Sequence, residues 1–233
     1  MRLYHLSIAT LVFALASCGG EADETATVER PSAEASARPD IAVEGPERHI
    51  LAFGDSLFAG YGIGRESSYP ALLEDALRAK GINARITNAG ISGETSGAGA
   101  QRLAYTLDAQ DPAPDLVILE LGGNDMLRGL SPAETRTHFE TMLTELKRRD
   151  IPVLLMGMRA PPNYGPEYQA EFDALYGALA KEYGTGLIPF WLEAIYQDTS
   201  KFQADRIHPT VDGIEILVND TVDEVAAALP AEG

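Results

Sequence analysis

The chain has 233 residues, of which 45% are hydrophobic, and a formal net charge of −17 at pH 7. This length suits one catalytic domain with short appendages, and the composition is sufficient for a buried core. The acidic balance excludes a nucleic acid as partner, because no basic surface is available to neutralise phosphates. The single cysteine, Cys18, excludes an intrachain disulfide, a thiolate zinc cluster and a CxxC redox pair.

Residues 1–17 have the layout of a bacterial lipoprotein signal peptide. Arg2 supplies a positive charge, and the apolar run "LSIATLVFALA" is shorter than the ~20 residues that span a bilayer. The small residues of "LASC" resemble a lipobox, which implies that Cys18 is lipidated and becomes the mature N-terminus. The alternative is an ordinary signal peptide with a chance cysteine. Gly19 is not an aspartate, and the resemblance then implies sorting to the periplasmic face of the outer membrane in a bacterial cell envelope.

The residues that follow predict a tether. Residues 19–47 contain no aromatic residue and are rich in Ala, Glu, Pro, Ser and Thr. Such a stretch cannot bury enough apolar surface to offset its ordering entropy. We therefore expect residues 18–47 to form a lipidated, disordered acidic tether, and residues 48–233 to form the globular domain. The lipid anchor is the only contact with a membrane that we expect.

From residue 49 onward, apolar strand patterns alternate with helical patterns. Continuously apolar strands are typical of a parallel sheet covered by helices on both faces, so the sequence predicts a doubly wound α/β domain of about five strands. One helix opens with a capping box of Ser131, Pro132 and Glu134. The predicted strands are "HILAF", "NARIT", "DLVILEL", "IPVLLMGM" and "GLIPF", and the predicted helices are "YPALLEDALRAKG", "GAQRLAYTLDA", "SPAETRTHFETMLTELKRRD", "YQAEFDALYGALAKEYG" and "DGIEILVNDTVDEVAAAL".

In sheets of this kind, functional residues gather where the strands end at their carboxyl edge. Ser56 lies in "GDSL", just after the first strand, and could be a helix cap or a nucleophile. Gly54 and Gly60 beside it favour the nucleophile, because glycines would leave room for an acyl group to approach closely.

A serine nucleophile needs a base, usually a histidine. His5 leaves with the signal peptide, His49 precedes the first strand at the wrong edge, and His138 lies mid-helix, where we expect it to be solvated. His208 in "DRIHP" remains, with Asp205 three residues earlier. That spacing lets a carboxylate accept from one ring nitrogen while the other faces the serine, although a turn aspartate beside a surface histidine would look the same.

Two further segments at the carboxyl edge could bind an oxyanion. "GGND" follows the third strand and carries Asn124, whose amide could donate, or form an Asx turn. "NAGISGET" follows the second strand and carries Gly93, whose N–H could converge on negative charge, or simply form a turn. Acyl transfer is the mechanism that would use a nucleophile, a base, a carboxylate and oxyanion donors together.

The four segments, in this order and spacing, resemble the four blocks of the SGNH (GDSL-type) hydrolase superfamily. The longer strings "FGDSLFAGYG", "SGETSGAGAQRL", "LELGGNDMLRG" and "PNYG" are similar to those of bacterial arylesterases and multifunctional thioesterase/lysophospholipases. The resemblance implies a flavodoxin-like three-layer α/β/α sandwich without metal or cofactor. Ser56 does not lie in a GxSxG elbow, so the α/β-hydrolase fold is not expected.

The resemblance also implies the role of each residue. Ser56 would be the nucleophile, and its own N–H would join the oxyanion hole with the N–H of Gly93 and the side chain of Asn124. His208 would act as general base and then as general acid, and Asp205 would orient it.

Substrate contacts are less constrained by the sequence. Residues 158–168, "MRAPPNYGPEY", form either a wall or lid over the acyl chain or a rigid connection. We expect substrate contacts from Leu57, Met126 and Tyr164, together with Phe58 and Leu127. Apolar pockets discriminate single methylenes by only ~1–3 kcal/mol, so broad ester tolerance is expected.

The sequence thus predicts a monomeric serine esterase that acts on aryl, short-to-medium acyl, lysophospholipid and thioester substrates through an acyl-enzyme. One alternative is a carbohydrate O-acetylesterase on the same fold, which shares the triad. Another is a non-catalytic envelope binding protein, which predicts a degenerate site, whereas every motif residue is present. A phosphoryl-receiver domain of the same topology is excluded by the signal peptide.

Overall fold

The computed structural model describes residues 41–231. The predicted signal peptide and Cys18 lie outside the described residues, as does most of the predicted tether. Within residues 41–231, no helix combines the length and the apolar character that crossing a membrane requires.

The described part of the chain contains a single five-stranded sheet. All neighbouring strands run parallel, which confirms the predicted sheet. The strands are β1 (Arg48–Gly54), β2 (Ala84–Gly90), β3 (Leu116–Leu119), β4 (Val153–Met156) and β5 (Gly186–Ile188). Their order is β2-β1-β3-β4-β5, the flavodoxin-like arrangement.

Helices follow the strands in alternation, as the sequence pattern predicts. In residues 41–231 they are α1 (Ser56–Ala59), α2 (Tyr69–Ala79), α3 (Ser96–Asp108), α4 (Gly123–Leu127), α5 (Pro132–Arg148), α6 (Pro166–Tyr183) and α7 (Val211–Ala228). Helix α2 packs with α7, and α5 packs between α3 and α6. These two groups cover the sheet and form the outer layers of the α/β/α sandwich.

The strands are apolar because both faces of the sheet are covered. Every residue of β3 and of β4 is buried, as their unbroken run of Leu, Val, Ile and Met predicts. The register places Gly54 at the end of β1 beside Gly90 at the end of β2, and Phe53 beside Leu119 at the end of β3. Three strands therefore end at one level, and the segments that follow them meet there.

Local signals fix several boundaries of the helices. The Ser131 hydroxyl accepts from the Glu134 N–H at 3.2 Å, and the Glu134 carboxylate accepts from the Ser131 N–H at 3.1 Å. This is the predicted capping box, worth about 0.5–2 kcal/mol of helix stability. The domain also closes on itself, because the Arg48 guanidinium donates to the Pro230 carbonyl beyond α7 at 2.8 Å.

One predicted substrate contact belongs to the core instead. Phe58 is fully buried, with its ring centroid 5.4 Å from that of Tyr69 and 5.7 Å from that of Trp191. This aromatic cluster anchors α1 to α2 and to the segment after β5. Phe58 therefore stabilises the turn that carries Ser56 and does not contact substrate.

Candidate active site

Ser56 is the first residue of α1, and its neighbour caps the helix in its place. The Asp55 carboxylate accepts from the Leu57 N–H at 3.0 Å, which is the N-cap hydrogen bond. The alternative that Ser56 is a cap is thereby removed. Its hydroxyl is free to bond elsewhere, and it faces the His208 ring.

His208 and Asp205 form a hydrogen-bonded chain with Ser56. The His208 Nε2 lies 2.9 Å from the Ser56 Oγ, and the His208 Nδ1 lies 2.7 Å from the Asp205 Oδ2. The other Asp205 oxygen accepts from the N–H groups of Ile207, at 2.9 Å, and His208, at 3.0 Å. The spacing of "DRIHP" thus folds into a turn that orients the ring.

The charge of Asp205 sets the tautomer of the ring. Burial alone would raise the pKa of Asp205, but hydrogen bonds from the Ile207 N–H and from His208 outweigh it and lower the pKa to about 2. An ionised carboxylate only accepts hydrogen bonds, so the Nδ1 of His208 carries the proton. In the neutral form of the ring, the Nε2 is then the acceptor, and it can take the proton of the Ser56 hydroxyl.

Three hydrogen-bond donors lie beside this chain, in the positions that the sequence predicts. Ser56, Gly93 and Asn124 line the same cavity as His208. Within residues 41–231, no acceptor is bonded to the N–H of Ser56 or of Gly93. Gly93 has a φ of +79°, which favours glycine. The Asn124 Nδ2 donates one hydrogen to the Asp55 carboxylate at 2.8 Å and keeps a second for a ligand.

A buried pair of acids supports these donors, and sequence reasoning missed half of it. Asp55 is 2% exposed and Glu120 0% exposed, and the Glu120 Oε2 accepts from the Asp55 N–H at 3.3 Å. Burial raises the pKa of Asp55 to about 6, and burial together with the charge of Asp55 raises that of Glu120 well above its usual value. The shared burial therefore favours the protonated form of Glu120 and leaves the negative charge of the pair on Asp55. The signal in the sequence is a lone acid inside the apolar strand "DLVILEL".

The two glycines flanking Ser56 have a different purpose from the predicted one. A Cβ on Gly54 would lie 2.8 Å from the Glu120 carbonyl, and a Cβ on Gly60 would lie 2.5 Å from the Gly64 carbonyl. Both glycines are thus required by the packing of the chain against itself. They do not leave space for an acyl group, which corrects that expectation.

The site opens into a cavity of about 440 Å³. Leu57 and Met126 lie in its wall, as does Leu127 at its exposed rim. Part of the loop of residues 158–168 also lines it, which favours the wall over the rigid connection. Sequence reasoning missed the wall formed by the segment after β5, although "PFWLEAIY" is conspicuously apolar. That wall consists of Phe190, Leu192, Tyr196, Thr199 and Phe202.

Tyr164, the third predicted substrate contact, is absent from the cavity wall. Its ring centroid lies 5.3 Å from that of Tyr168, whose hydroxyl donates to the Leu130 carbonyl at 3.0 Å. The ring is occupied by this packing. From the same loop, the wall contains Met158, Arg159 and Pro161 instead.

A family model of GDSL-like lipases and acylhydrolases matches residues 52–216, more than half of the chain. The chain belongs to this family. The predicted resemblance is confirmed.

The relatives that the chain matches carry the names of esterases and thioesterases. The chain is 41% identical to "Esterase TesA" of Pseudomonas aeruginosa over 162 residues, which cover 70% of this chain and 80% of that protein. It is 41% identical to "Thioesterase 1/protease 1/lysophospholipase L1" of Escherichia coli K12 over 163 residues, covering 70% and 76% respectively. Among solved structures, AlinE4, described as an SGNH-hydrolase family esterase, is 58% identical with a TM-score of 0.69, and the match covers 81% of this chain and all of AlinE4.

The second GDSL-like block, which carries Gly93, is held by charged side chains. The Arg102 Nε donates to the Glu94 carboxylate at 2.7 Å, and the guanidinium also donates to the Ala89 carbonyl at 2.8 Å. From the other side, the Arg128 guanidinium donates to the Gly93 carbonyl at 2.6 Å. The peptide at Gly93 is therefore fixed before any ligand arrives.

His138 is half-buried, which corrects the expectation of a solvated side chain. Its Nδ1 lies 2.9 Å from the Ser96 Oγ, and the Ser96 N–H donates to the Asp125 carboxylate at 2.7 Å. Ser96 begins α3, and Asp125 lies in α4. These bonds join the segments that carry Gly93 and Asn124, and His138 is bonded to a serine other than Ser56. In the described range, no cluster of His, Cys, Asp and Glu is arranged to hold a metal ion.

Proposed function

We propose that the protein is a serine hydrolase that cleaves carboxylic esters through an acyl-enzyme intermediate. The single observation that carries this proposal is the hydrogen-bonded chain Asp205–His208–Ser56, which ends in a cavity that Gly93 and Asn124 also line. The family and the names of the relatives support the same reaction class.

The geometry suits acylation in two steps, which are the attack of Ser56 on the ester and the collapse of the tetrahedral intermediate. The Ser56 Oγ attacks the ester carbonyl carbon while its proton passes to the His208 Nε2, 2.9 Å away. The C–O bond to the leaving group then breaks, and His208 returns the proton to the departing alkoxide. Asp205 stays ionised throughout and stabilises the imidazolium that forms between the two steps.

Deacylation repeats the sequence with water. His208 takes a proton from a water molecule, which attacks the acyl carbon of the ester on Ser56. The bond to the Ser56 Oγ breaks, and the oxygen recovers its proton from His208. The products are the free acid and the regenerated serine.

The oxyanion donors provide much of the rate enhancement. The N–H groups of Ser56 and Gly93 and the second hydrogen of Asn124 would bind the negative oxygen of each tetrahedral intermediate. In measured cases, one such donor lowers the barrier by about 2.7–4 kcal/mol. The bond from Asn124 to the buried Asp55 fixes the amide orientation in advance, so no reorganisation is needed during reaction.

The cavity favours an apolar acyl or aryl group as the part of the substrate that it binds. Leu57, Met126, Met158, Phe190 and Leu192 form its walls. Its volume of about 440 Å³ lies in the range of ~300–1,000 Å³ typical of small-molecule sites. We therefore propose aryl esters, short-to-medium acyl esters, lysophospholipids and thioesters as substrates. A carbohydrate O-acetylesterase is less well supported, because most of the surface that the cavity walls expose is apolar.

The function is tested by turnover of p-nitrophenyl esters by the purified full-length protein and by Ser56→Ala. The expected result is turnover by the wild type and none above background by the variant. Turnover that survives in Ser56→Ala would end the proposal. A series of acyl-chain lengths and head groups, with ester, thioester and acetylated sugar compared, then ranks the substrate classes.

We also propose that the protein is anchored in the bacterial cell envelope through lipidated Cys18, at the periplasmic face of the outer membrane. The "LASC" pattern before Cys18 supports this. Membrane fractionation of Cys18→Ala is the test. Release of the variant into the soluble fraction is expected, and unchanged fractionation would contradict lipidation.

The triad and the oxyanion donors come from one chain, which supports a monomer as the active form. Light scattering coupled to gel filtration of the active protein tests this. A dimer mass at assay concentration would contradict it.

A further inference from the structure

His208 lies in a surface segment without helix or strand, residues 203–209, called the histidine loop below. Its entry and exit are joined by an isolated bridge between Phe202 and Pro209. Such a loop has little intrinsic rigidity, because its hydrogen bonds are exposed to solvent. Something must nevertheless keep the imidazole within 2.9 Å of the Ser56 hydroxyl.

The main chain of Gln203 closes this loop from within. Its N–H donates to the His208 carbonyl at 2.7 Å, and its carbonyl accepts from the Arg206 N–H at 2.9 Å. Gln203 thus sets the spacing between the two ends of the turn that carries the base.

The side chain of Gln203 joins the histidine loop to the segment that carries the nucleophile. Its Nε2 donates to the Pro209 carbonyl at 2.9 Å and to the Tyr61 carbonyl at 2.8 Å. Pro209 directly follows His208 in the sequence. Tyr61 lies in the turn after α1, and its N–H donates to the Ser56 carbonyl at 3.3 Å. One amide nitrogen therefore spans the two segments that must meet for reaction.

Tyr61 contacts the base directly as well. Its ring centroid lies 4.3 Å from that of the His208 imidazole. Fixing the Tyr61 backbone therefore also fixes the ring against which the imidazole packs.

The adjacent segment of the protein leaves room for the Gln203 side chain only because it has a glycine there. Gly62 has a φ of +75°, and a Cβ there would lie 2.1 Å from the Gln203 Oε1. The orientation of the amide is also determined, because both groups that it faces are carbonyl oxygens and only its nitrogen can donate. A side chain without an N–H donor of two hydrogens at this position could not form both bonds.

We propose that Gln203 is a positioning residue, which holds the His208 ring in reach of Ser56 by linking Pro209 to Tyr61. The inference rests on the proposed function, since it assumes that Ser56 and His208 react. Gln203 is absent from the cavity wall, so no direct contact with substrate is expected. Its loss should therefore affect the chemical step and leave substrate binding unchanged.

The test compares Gln203→Ala and Gln203→Met with the full-length wild type. Methionine keeps the length of the side chain but has no donor. A displacement of reacting groups by 1 Å can cost about 100-fold in rate, so we expect kcat to fall by about 10- to 100-fold while KM is unchanged. The rate constant for covalent inactivation of Ser56 by a p-nitrophenyl phosphonate should fall by the same factor.

Gln110→Ala is the matched control. Its Nε2 also donates to a backbone carbonyl, that of Thr106, at 2.9 Å, but it follows the far end of α3 at the opposite edge of the sheet. This variant should keep the wild-type kcat, KM and inactivation rate.

The outcomes separate the two claims. A folded Gln203→Met with wild-type kcat overturns the inference, even if its melting temperature is lower, because the residue is then only structural. If Gln203→Ala does not fold, Gln203→Met decides. Ser56→Ala is assayed in parallel: if it is inactive while Gln203→Met equals the wild type, only this inference fails. If Ser56→Ala is active, the proposed function fails.

Discussion

The nucleophile and the base of this site are held in opposite ways. The turn that carries Ser56 is buried, because Asp55 is only 2% exposed and Ser56 only 8% exposed. The histidine loop is at the surface, where the Asp205 side chain is 37% exposed. The buried turn owes its shape to packing, whereas the loop owes its shape to a few hydrogen bonds. Substitutions in the two regions should therefore separate stability from activity.

The largest expected effect on activity comes from the exposed loop. Asp205→Asn removes the charge that selects the tautomer of His208, and in a comparable serine protease triad such a change lowers kcat by about 10⁴-fold. We expect a loss of about 10³- to 10⁴-fold in kcat and only a small fall in the urea midpoint, because the Asp205 carboxylate is partly exposed to solvent. Steady-state kinetics and urea unfolding measure the two quantities. A large loss of stability would show that the loop is part of the folding core.

Asn124 connects the cavity to the buried turn of Ser56, because its amide faces the cavity and donates to the buried Asp55. Asn124→Ala should lower kcat by about 10²- to 10³-fold through the lost oxyanion donor. It should also lower the free energy of unfolding by about 1–3 kcal/mol, because a buried acceptor loses its partner. Kinetics and unfolding of the same preparation check both. A loss in only one of them would contradict the double role.

Gly54→Ala tests the buried turn alone. The added Cβ would lie 2.8 Å from the Glu120 carbonyl, so the chain must shift. Overpacking of this kind costs about 1–3 kcal/mol of the free energy of unfolding. The control is Ala204→Gly in the exposed histidine loop, which should change stability by less than about 0.5 kcal/mol. Equal effects of the two substitutions would invalidate the contrast between the regions.

We expect the smallest effect from Glu120→Gln. This substitution should change the free energy of unfolding by an amount that depends on pH in a defined direction. The raised pKa of Glu120 means that the folded state retains its proton where the unfolded state has lost it. The wild type therefore loses stability as the pH rises above the ordinary glutamate range and through the folded-state pKa. Glutamine cannot ionise, and its side-chain oxygen can still accept from the Asp55 N–H. The stability of Glu120→Gln relative to the wild type should therefore increase with pH.

Urea unfolding of the wild type and Glu120→Gln at pH 5, 7 and 9 measures this difference. Burial raises the pKa of Asp55 to about 6, so Asp55 also lowers the stability of both proteins as the pH rises through the range from 4 to 6. The comparison of pH 7 with pH 9 lies above that range. A difference that is constant over the whole range would show that Glu120 is not held protonated.

The sequence predicts the sheet and the chemistry of the site well, because both are encoded locally. Apolar runs define the strands, and their alternation with helices defines the topology. Ser56, Gly93, Asn124, Asp205 and His208 each lie in a short motif after a strand, and parallel strands bring those ends together. The structure joins Asp205, His208 and Ser56 by hydrogen bonds and brings Gly93 and Asn124 to the same cavity, while their roles stay predictions.

The sequence does not predict features that depend on the direction in which a side chain points. Glu120 looks like one acid in an apolar strand, and only the fold turns it toward Asp55. His138 occupies a helix position that could face solvent, and the packing of α3 on α5 decides otherwise. Phe58 and Tyr164 are aromatic residues near the site in sequence, yet both are engaged by other rings. Gln203 belongs to no motif, since its importance arises from two backbone carbonyls far apart in the chain.

The bond between Arg48 and the Pro230 carbonyl has a practical consequence. This bond places the start of β1 next to the end of α7, on the side of the sheet where the strands begin. The cavity lies on the other side, where the strands end. A seven-residue strand such as β1 is about 20 Å long, so that distance separates these ends from Ser56. A fluorophore, bead or carrier protein fused at either end would leave the cavity mouth open. Once residues 1–47 are removed, the two ends of the domain could also be joined by a short linker, and a circular permutant opened in another loop on that side of the sheet would retain the complete site.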